Sequence, residues 1–272
     1  MKSSLVFHRV QWHVAIGLWA ALAGQAPTRA AEPPAAGEVS GQPTYTNSAL
    51  VPVTWLERDS YNWEERHAQV LELQQTLDPE IVLIGDSITH FWGGPPVSRQ
   101  QRGTNAWAST FGDRRVLNLG FGWDRTQNVL WRLDHGELDG THPKVVVLNI
   151  GSNNFSRTRN ARANTPAEVA EAIGLICRRV QQKSPASRII VMGVLPRGFQ
   201  PDDSYRTRIA ALNELLARQF ARQPMIRFLD ISGQIVARDA VLSKDIMSDG
   251  VHPTEAGYAI WGKALLKAGI LQ

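Results

Sequence analysis

Ile81-Val-Leu-Ile-Gly-Asp-Ser-Ile88 is an aliphatic run that ends abruptly on a glycine, an aspartate and a serine. Four consecutive aliphatic residues bounded by turn signals read as a short strand buried on both faces. The same design recurs twice. Val116–Leu119 leads into Asn118-Leu-Gly-Phe-Gly122, and Val145–Ile150 leads into Gly151-Ser-Asn-Asn154. Two further strands are predicted near 188–194 and 226–229. Helical periodicity fills the gaps, near 63–77, 126–135, 166–183, 203–220 and 254–268. Pro166 stands at the start of one helix and Pro253 just ahead of another, where proline is tolerated. Strands that are apolar throughout and separated by helices imply a parallel sheet covered on both faces. The expected fold is therefore α/β: a single three-layer α/β/α domain around a five-stranded parallel sheet. No internal repeat is visible. Residues 91–114 have no assigned element and include Gly93-Gly-Pro-Pro96, which reads as a long loop beside the serine.

In an open parallel sheet, ligands bind where the strands end at their carboxyl side. Ser87, the Gly120 turn and Asn153 would all arrive at that edge. Asp249-Gly-Val-His252 adds a carboxylate and an imidazole three residues apart, close enough for the acid to reach the ring. Pro253 holds His252 in extended backbone angles. A hydroxyl, an imidazole with an orienting carboxylate, and amide donors together make an acyl-transfer site. Each piece also has an ordinary structural reading. Asp86 or Ser87 can cap a helix, Gly120 and Gly122 can serve a turn, and Asn153 and Asn154 can be turn residues. His90, three residues after Ser87, is a rival base without a nearby carboxylate and is read as a rim residue. Trp92, Trp123, Asn154 and Arg197 are candidate pocket residues, the two indoles being placed to limit acyl length or stack on a sugar.

The amino terminus reads as a secretory signal. Lys2 and Arg9 precede an apolar stretch from Val14 to Gly24, followed by Ala26-Pro-Thr-Arg-Ala-Ala31. Eleven apolar residues are well short of the roughly 20 that span a bilayer as a helix. Cleavage is expected after Ala30, with residues 31–54 forming a linker or extended arm and 55–272 the catalytic domain. Secreted or periplasmic residence follows, with an uncleaved anchor as the alternative. Residues 1–30 carry three basic and no acidic side chains, so the formal balance drops from +4 to 26 basic against 25 acidic. Without a basic run, a nucleic-acid partner is not expected. Cys177 is the only cysteine, which rules out an intramolecular disulfide. The histidines are scattered and no HExxH occurs, so no metal or other cofactor is expected.

Gly-Asp-Ser, the Gly120 turn, Gly-x-Asn and Asp-x-x-His, in this order, resemble the four blocks of the SGNH (GDSL-type) hydrolases. Val129-Leu-Trp-Arg-Leu133, Gly136-Glu-Leu, Pro143-Lys-Val-Val-Val, Gly151-Ser-Asn-Asn and Leu195-Pro-Arg-Gly198 look like the platelet-activating-factor acetylhydrolase catalytic-subunit branch. The resemblance covers about residues 80–268. It implies a flavodoxin-like sheet, no cofactor, Ser87 as nucleophile, His252 as base and Asp249 as its acid. It places the oxyanion donors at the Ser87 N–H, Gly120 and Asn153. Asn154 stands where the wider family has Asp, and the export signal departs from the intracellular animal acetylhydrolases. The resulting expectation is an exported esterase for short, acetyl-type esters of carbohydrate. A lipid-directed esterase or lysophospholipase is the rival among enzymes, and a non-catalytic carbohydrate-binding protein the rival outside them.

Overall fold

A computed structural model describes residues 46–272; the predicted leader and most of the predicted arm lie outside the described residues. Five strands form one parallel sheet: β1 (Ile81–Gly85), β2 (Val116–Gly120), β3 (Val145–Asn149), β4 (Arg188–Met192) and β5 (Ile226–Leu229). Their order is β2-β1-β3-β4-β5, with Gly85 paired to Gly120 on one side and to Asn149 on the other. This is the flavodoxin-like order, whose switch point lies between β1 and β3.

The continuous aliphatic runs separate into two faces once the strand period of two is applied. Val82, Ile84, Leu117, Leu119, Val146, Leu148, Ile189 and Val191 point into one core. That core is covered by α1 (Trp63–Leu77), α4 (Thr126–Asp134), α5 (Pro166–Lys183) and α6 (Ser204–Phe220). Ile81, Leu83, Val116, Val145, Val147, Ile190 and Met192 point into the other. There they meet α2 (Ser87–His90), α3 (Thr104–Phe111), α7 (Ser232–Ile235) and α8 (Glu255–Lys267). Three layers result.

Caps fix where the long helices begin. The Asn62 side chain accepts from the Glu65 N–H ahead of α1, and Thr165 with Glu168 forms a reciprocal box ahead of Pro166 in α5. Such a cap contributes about 1 kcal/mol. The described part of the 31–54 stretch is not free chain. Ser48–Leu50 forms one 3-10 turn, Ala49 is fully buried, and its carbonyl accepts from Thr126 Oγ1 at 3.0 Å.

The segment read as a 91–114 loop contains α3. Its eight residues are introduced by Gly103, which offers no capping side chain, so the sequence carries no start signal. Glycine is needed there because the Tyr258 ring lies against the position a Cβ would fill. Burial of one face on α8 holds the helix where local propensity does not.

Candidate active site

β1 ends at Gly85, and Asp86 turns the chain into α2 by accepting the Ile88 N–H on its own side chain at 2.9 Å. Ser87 thereby becomes the first residue of a helical turn. Its N–H has no intrahelical partner, and its hydroxyl is presented at the sheet edge with 8% of the residue exposed. Asp86 is buried, and burial pushes its carboxyl up to about 7. The turn is clamped from two sides. Asn118 Nδ2 donates to the carbonyls of Thr89 (2.9 Å) and Gly93 (2.7 Å), and Tyr258 Oη donates to the Ile88 carbonyl at 2.7 Å.

The loop before α8 builds the second half. Asp249 Oδ1 accepts the N–H groups of Val251 (3.0 Å) and His252 (2.7 Å), a tight side-chain turn that also requires the positive φ of Gly250. Asp249 Oδ2 is left to take His252 Nδ1 at 2.8 Å, and His252 Nε2 lies 2.8 Å from Ser87 Oγ. The tautomer that satisfies both contacts carries its proton on Nδ1 and accepts the serine hydroxyl on Nε2. Burial opposes the charge on Asp249, but the backbone and ring hydrogen bonds of His252 outweigh it and hold the carboxyl below its ordinary range. Burial likewise lowers His252, partly offset by Asp249, so the ring is neutral and able to accept a proton at neutral pH. Hydroxyl, imidazole and carboxylate in series can move the serine proton to the ring while the oxygen attacks a carbonyl.

Arg102 was not legible as a site residue. Its Nη1 donates to Ser248 Oγ at 3.1 Å and to Asp249 Oδ2 at 3.3 Å, and its guanidinium lies 5.6 Å from the Phe91 ring centroid. It lies 147 residues from Asp249, so only the fold brings it to the carboxylate. Arg66 is a second such residue. From α1 it donates to the carbonyls of Gly120, Pro96 and Asn118 at 2.8–3.1 Å, tying the end of β2 to α1 and to the segment that follows α2.

Four expectations change. The Gly120 N–H is not free for an oxyanion, since it donates to Asn118 Oδ1 at 2.8 Å. Glycine is required there because a Cβ would collide with the backbone of Thr89 and His90. Two N–H groups in this turn, those of Gly122 and Trp123, donate to no acceptor among the described residues, and Trp123 adopts a left-handed φ of 64°. Its indole is 39% exposed. Trp92 lines no pocket: it is fully buried, with its ring 4.5 Å from Trp261, 5.4 Å from Tyr258 and Phe111, and 5.9 Å from Trp107.

Asn154 is also structural. It is fully buried, takes the Thr126 N–H on Oδ1 at 3.0 Å, and donates to Thr126 Oγ1, Gln127 and Asn164 at 3.0–3.1 Å. His90 is buried rather than at a rim, with its ring against Tyr61 at 4.7 Å and Phe91 at 5.3 Å. Burial first, then Arg66 and Arg132, drive its imidazole down to about 2, so it stays neutral.

Asn153 follows β3 in a 3-10 turn, and its Nδ2 donates to the Asp124 carbonyl at 3.1 Å. The amide therefore stands against the same Trp123–Asp124 turn. Beneath it, the buried Asp124 carboxylate accepts from Trp63 Nε1 at 2.8 Å and Arg132 Nε at 2.9 Å. A second pair, Arg132 with Glu137, completes this buried group. Arg197 does not touch the triad. It donates to Ser156 Oγ at 3.2 Å and lies 4.1 Å from the Tyr205 ring centroid, so only its charge reaches His252.

The model of the GDSL-like lipase/acylhydrolase family matches residues 83–260. Platelet-activating factor acetylhydrolase IB subunit alpha1 of Rattus norvegicus is 32% identical over 227 residues, covering 84% of this chain and 90% of the relative. The rat alpha2 subunit is 34% identical over 72% of this chain and 79% of its own length. Among solved structures, a putative acylhydrolase from Bacteroides fragilis superposes with a TM-score of 0.60 at 23% identity, over 79% of this chain and 100% of the other. A catalytic mutant of an acetylxylan esterase from Geobacillus stearothermophilus gives 0.54 at 17% identity, over 69% and 92%. At such identities the two structures speak for the fold alone.

Proposed function

The chain belongs to the GDSL-like lipase/acylhydrolase family of carboxylic ester hydrolases, and from that premise we propose that it is an exported serine esterase removing short acyl groups, acetyl above all, from carbohydrate. The observation that carries the reading is the unbroken series from Asp249 through His252 to Ser87, at 2.8 Å for each step. Ser87 Oγ attacks the ester carbonyl as His252 Nε2 takes its proton. Asp249 keeps the ring oriented and stabilises the imidazolium. Negative charge on the former carbonyl oxygen is received by the Ser87 N–H and the Asn153 amide, with the Trp123 N–H in the part expected of Gly120. His252 then protonates the leaving alcohol. Water repeats the sequence on the acyl-enzyme, returning Ser87 and releasing the acid.

A short acyl group suits the surroundings. With Trp92 withdrawn into the core, Trp123 is the indole left near the turn. Its partly exposed ring, on the turn that carries the unpaired N–H groups, is placed to limit the length of the acyl chain. Measured as kcat/KM on p-nitrophenyl esters, acetate is expected to exceed octanoate at least about tenfold, roughly 1.4 kcal/mol of transition-state binding. A rise toward eight carbons would favour lipid substrates and overturn the reading.

Export rests on the pattern of residues 1–30. Recovered from an exporting host, the protein is expected to begin near Ala31 on amino-terminal sequencing. An intact Met1 on membrane-bound protein would count against cleavage. Among the described residues, no helix is long and apolar enough to cross a membrane.

A further inference from the structure

A cleft of about 730 Å³ opens between residues 55–62, the first turns of α1 and residues 97–100. That size lies within the range of about 300–1,000 Å³ common to ligand sites. Nothing in the reaction steps above uses it. Its position relative to His252 gives it a role. Phe91 lines the cleft and also packs on the His252 ring, with centroids 5.2 Å apart. In acyl transfer, the oxygen of the departing alcohol must lie beside the imidazole that protonates it. None of Ser87, Asp249 and His252 lines the cleft, and Phe91 stands between it and the ring, so it suits the remote part of a long alcohol half rather than the acyl half.

The wall is attached to the opposite side of the site as well. Tyr61 Oη donates to the Gly122 carbonyl at 3.2 Å, and the Asp59 carboxylate occupies the space where a Gly122 side chain would stand. Residues 59–61 thus bridge from the turn carrying Trp123 to the cleft floor at His90.

The lining identifies the occupant. Trp55 presents a partly exposed ring whose Nε1 is held by Glu64, and Tyr61 supplies a second ring. Arg58 and Arg99 alternate with Asp59 and other carboxylates, so donors and acceptors are interleaved without one dominant sign. Such a surface matches a neutral ligand that donates and accepts hydrogen bonds and offers flat C–H faces to aromatic rings. A fatty chain finds little here to replace its contacts with itself. We propose that this cleft binds the alcohol half of the substrate and that its occupant is a neutral oligosaccharide. The proposal rests on the esterase reading of Ser87 and His252.

The test compares two acetate esters on purified protein: p-nitrophenyl acetate, whose alcohol half is a single ring, and an O-acetylated xylotetraose. Trp55→Ala and Arg99→Gln are expected to lower the ratio of kcat/KM for the glycan to kcat/KM for the aryl ester at least about tenfold each. Most of that loss should lie in KM, because the contacts are made before the acyl transfer and kept through it. Trp55→Phe should restore part of the ratio by returning a ring face. It also keeps the test decisive if Trp55→Ala folds poorly. An unchanged ratio in all variants, or a wild-type enzyme that cleaves the aryl ester but not the acetylated glycan, would overturn the proposal. Faster release of acetate from vesicles of a 2-acetyl phospholipid than from the glycan would replace the sugar with a lipid. Failure of the esterase reading is separate, appearing as aryl-ester hydrolysis that survives Ser87→Ala.

Discussion

Ser87→Ala is expected to lower kcat for p-nitrophenyl acetate by about three to six orders of magnitude, and His252→Ala by a similar factor. The double variant should be little worse than either, because the two groups act as one relay: removing the acceptor of the proton disables the donor. Asp249→Ala should be equal or milder. Its effect has a local twist, since Arg102 now shares Oδ2 with the imidazole. Loss of the carboxylate leaves that guanidinium beside the ring without its counter-charge, so the base is both unanchored and harder to protonate. Stopped-time assays with active-site titration decide the matter. Normal turnover by the Ser87 variant would remove the mechanism altogether.

The next largest effect is expected at Asn153. Truncation to Ala should cost about 100- to 1,000-fold in kcat with little change in KM, because the amide is needed when charge develops on the carbonyl oxygen. Its single hydrogen bond, to the Asp124 carbonyl, predicts only a small change in melting temperature. Asn154→Ala supplies the contrast. Four buried hydrogen bonds converge on that side chain, and leaving their partners unmatched costs about 1–3 kcal/mol for each buried group stranded. Asn154→Ala should therefore melt earlier yet keep much of its turnover per folded molecule. If the two variants exchanged these signatures, Asn153 would be the structural residue.

That contrast marks what the sequence could reveal. The five strands were legible because β1 to β4 are buried on both faces and so read as aliphatic runs. Ser87 and the Asp249–His252 pair were legible because their geometry is local: a strand end, a cap, and a side-chain turn of three residues. Asn153 and Asn154 are neighbours of the same type. Only the direction each side chain takes from the 3-10 turn separates them, and that direction is set by Thr126, Gln127 and Asn164. Gly120 misled for a similar reason. Its glycine is real, but it serves the close approach of α2, while Asn118 two residues earlier takes its N–H. Arg66 and Arg102 act across 30–147 residues, and neither sits in a pattern that announces it. The α3 helix is short and uncapped, so tertiary burial had to be seen before its boundaries were.

The aromatic packing around Trp92 has an optical consequence. Trp92, Trp107 and Trp261 are three of the chain's nine tryptophans. With Tyr258 they form a chain of rings whose centroid separations run from 4.5 Å to 6.3 Å. At such spacing, fixed indole transition dipoles couple and give circular dichroism a strong signed band that vanishes when the rings become mobile. Trp92 stands two residues beyond the last residue of α2, and Tyr258 holds the Ile88 carbonyl, so that band reports on the seat of Ser87. An inactive variant that retains it has lost chemistry, whereas one that loses it has lost the platform on which Ser87 stands.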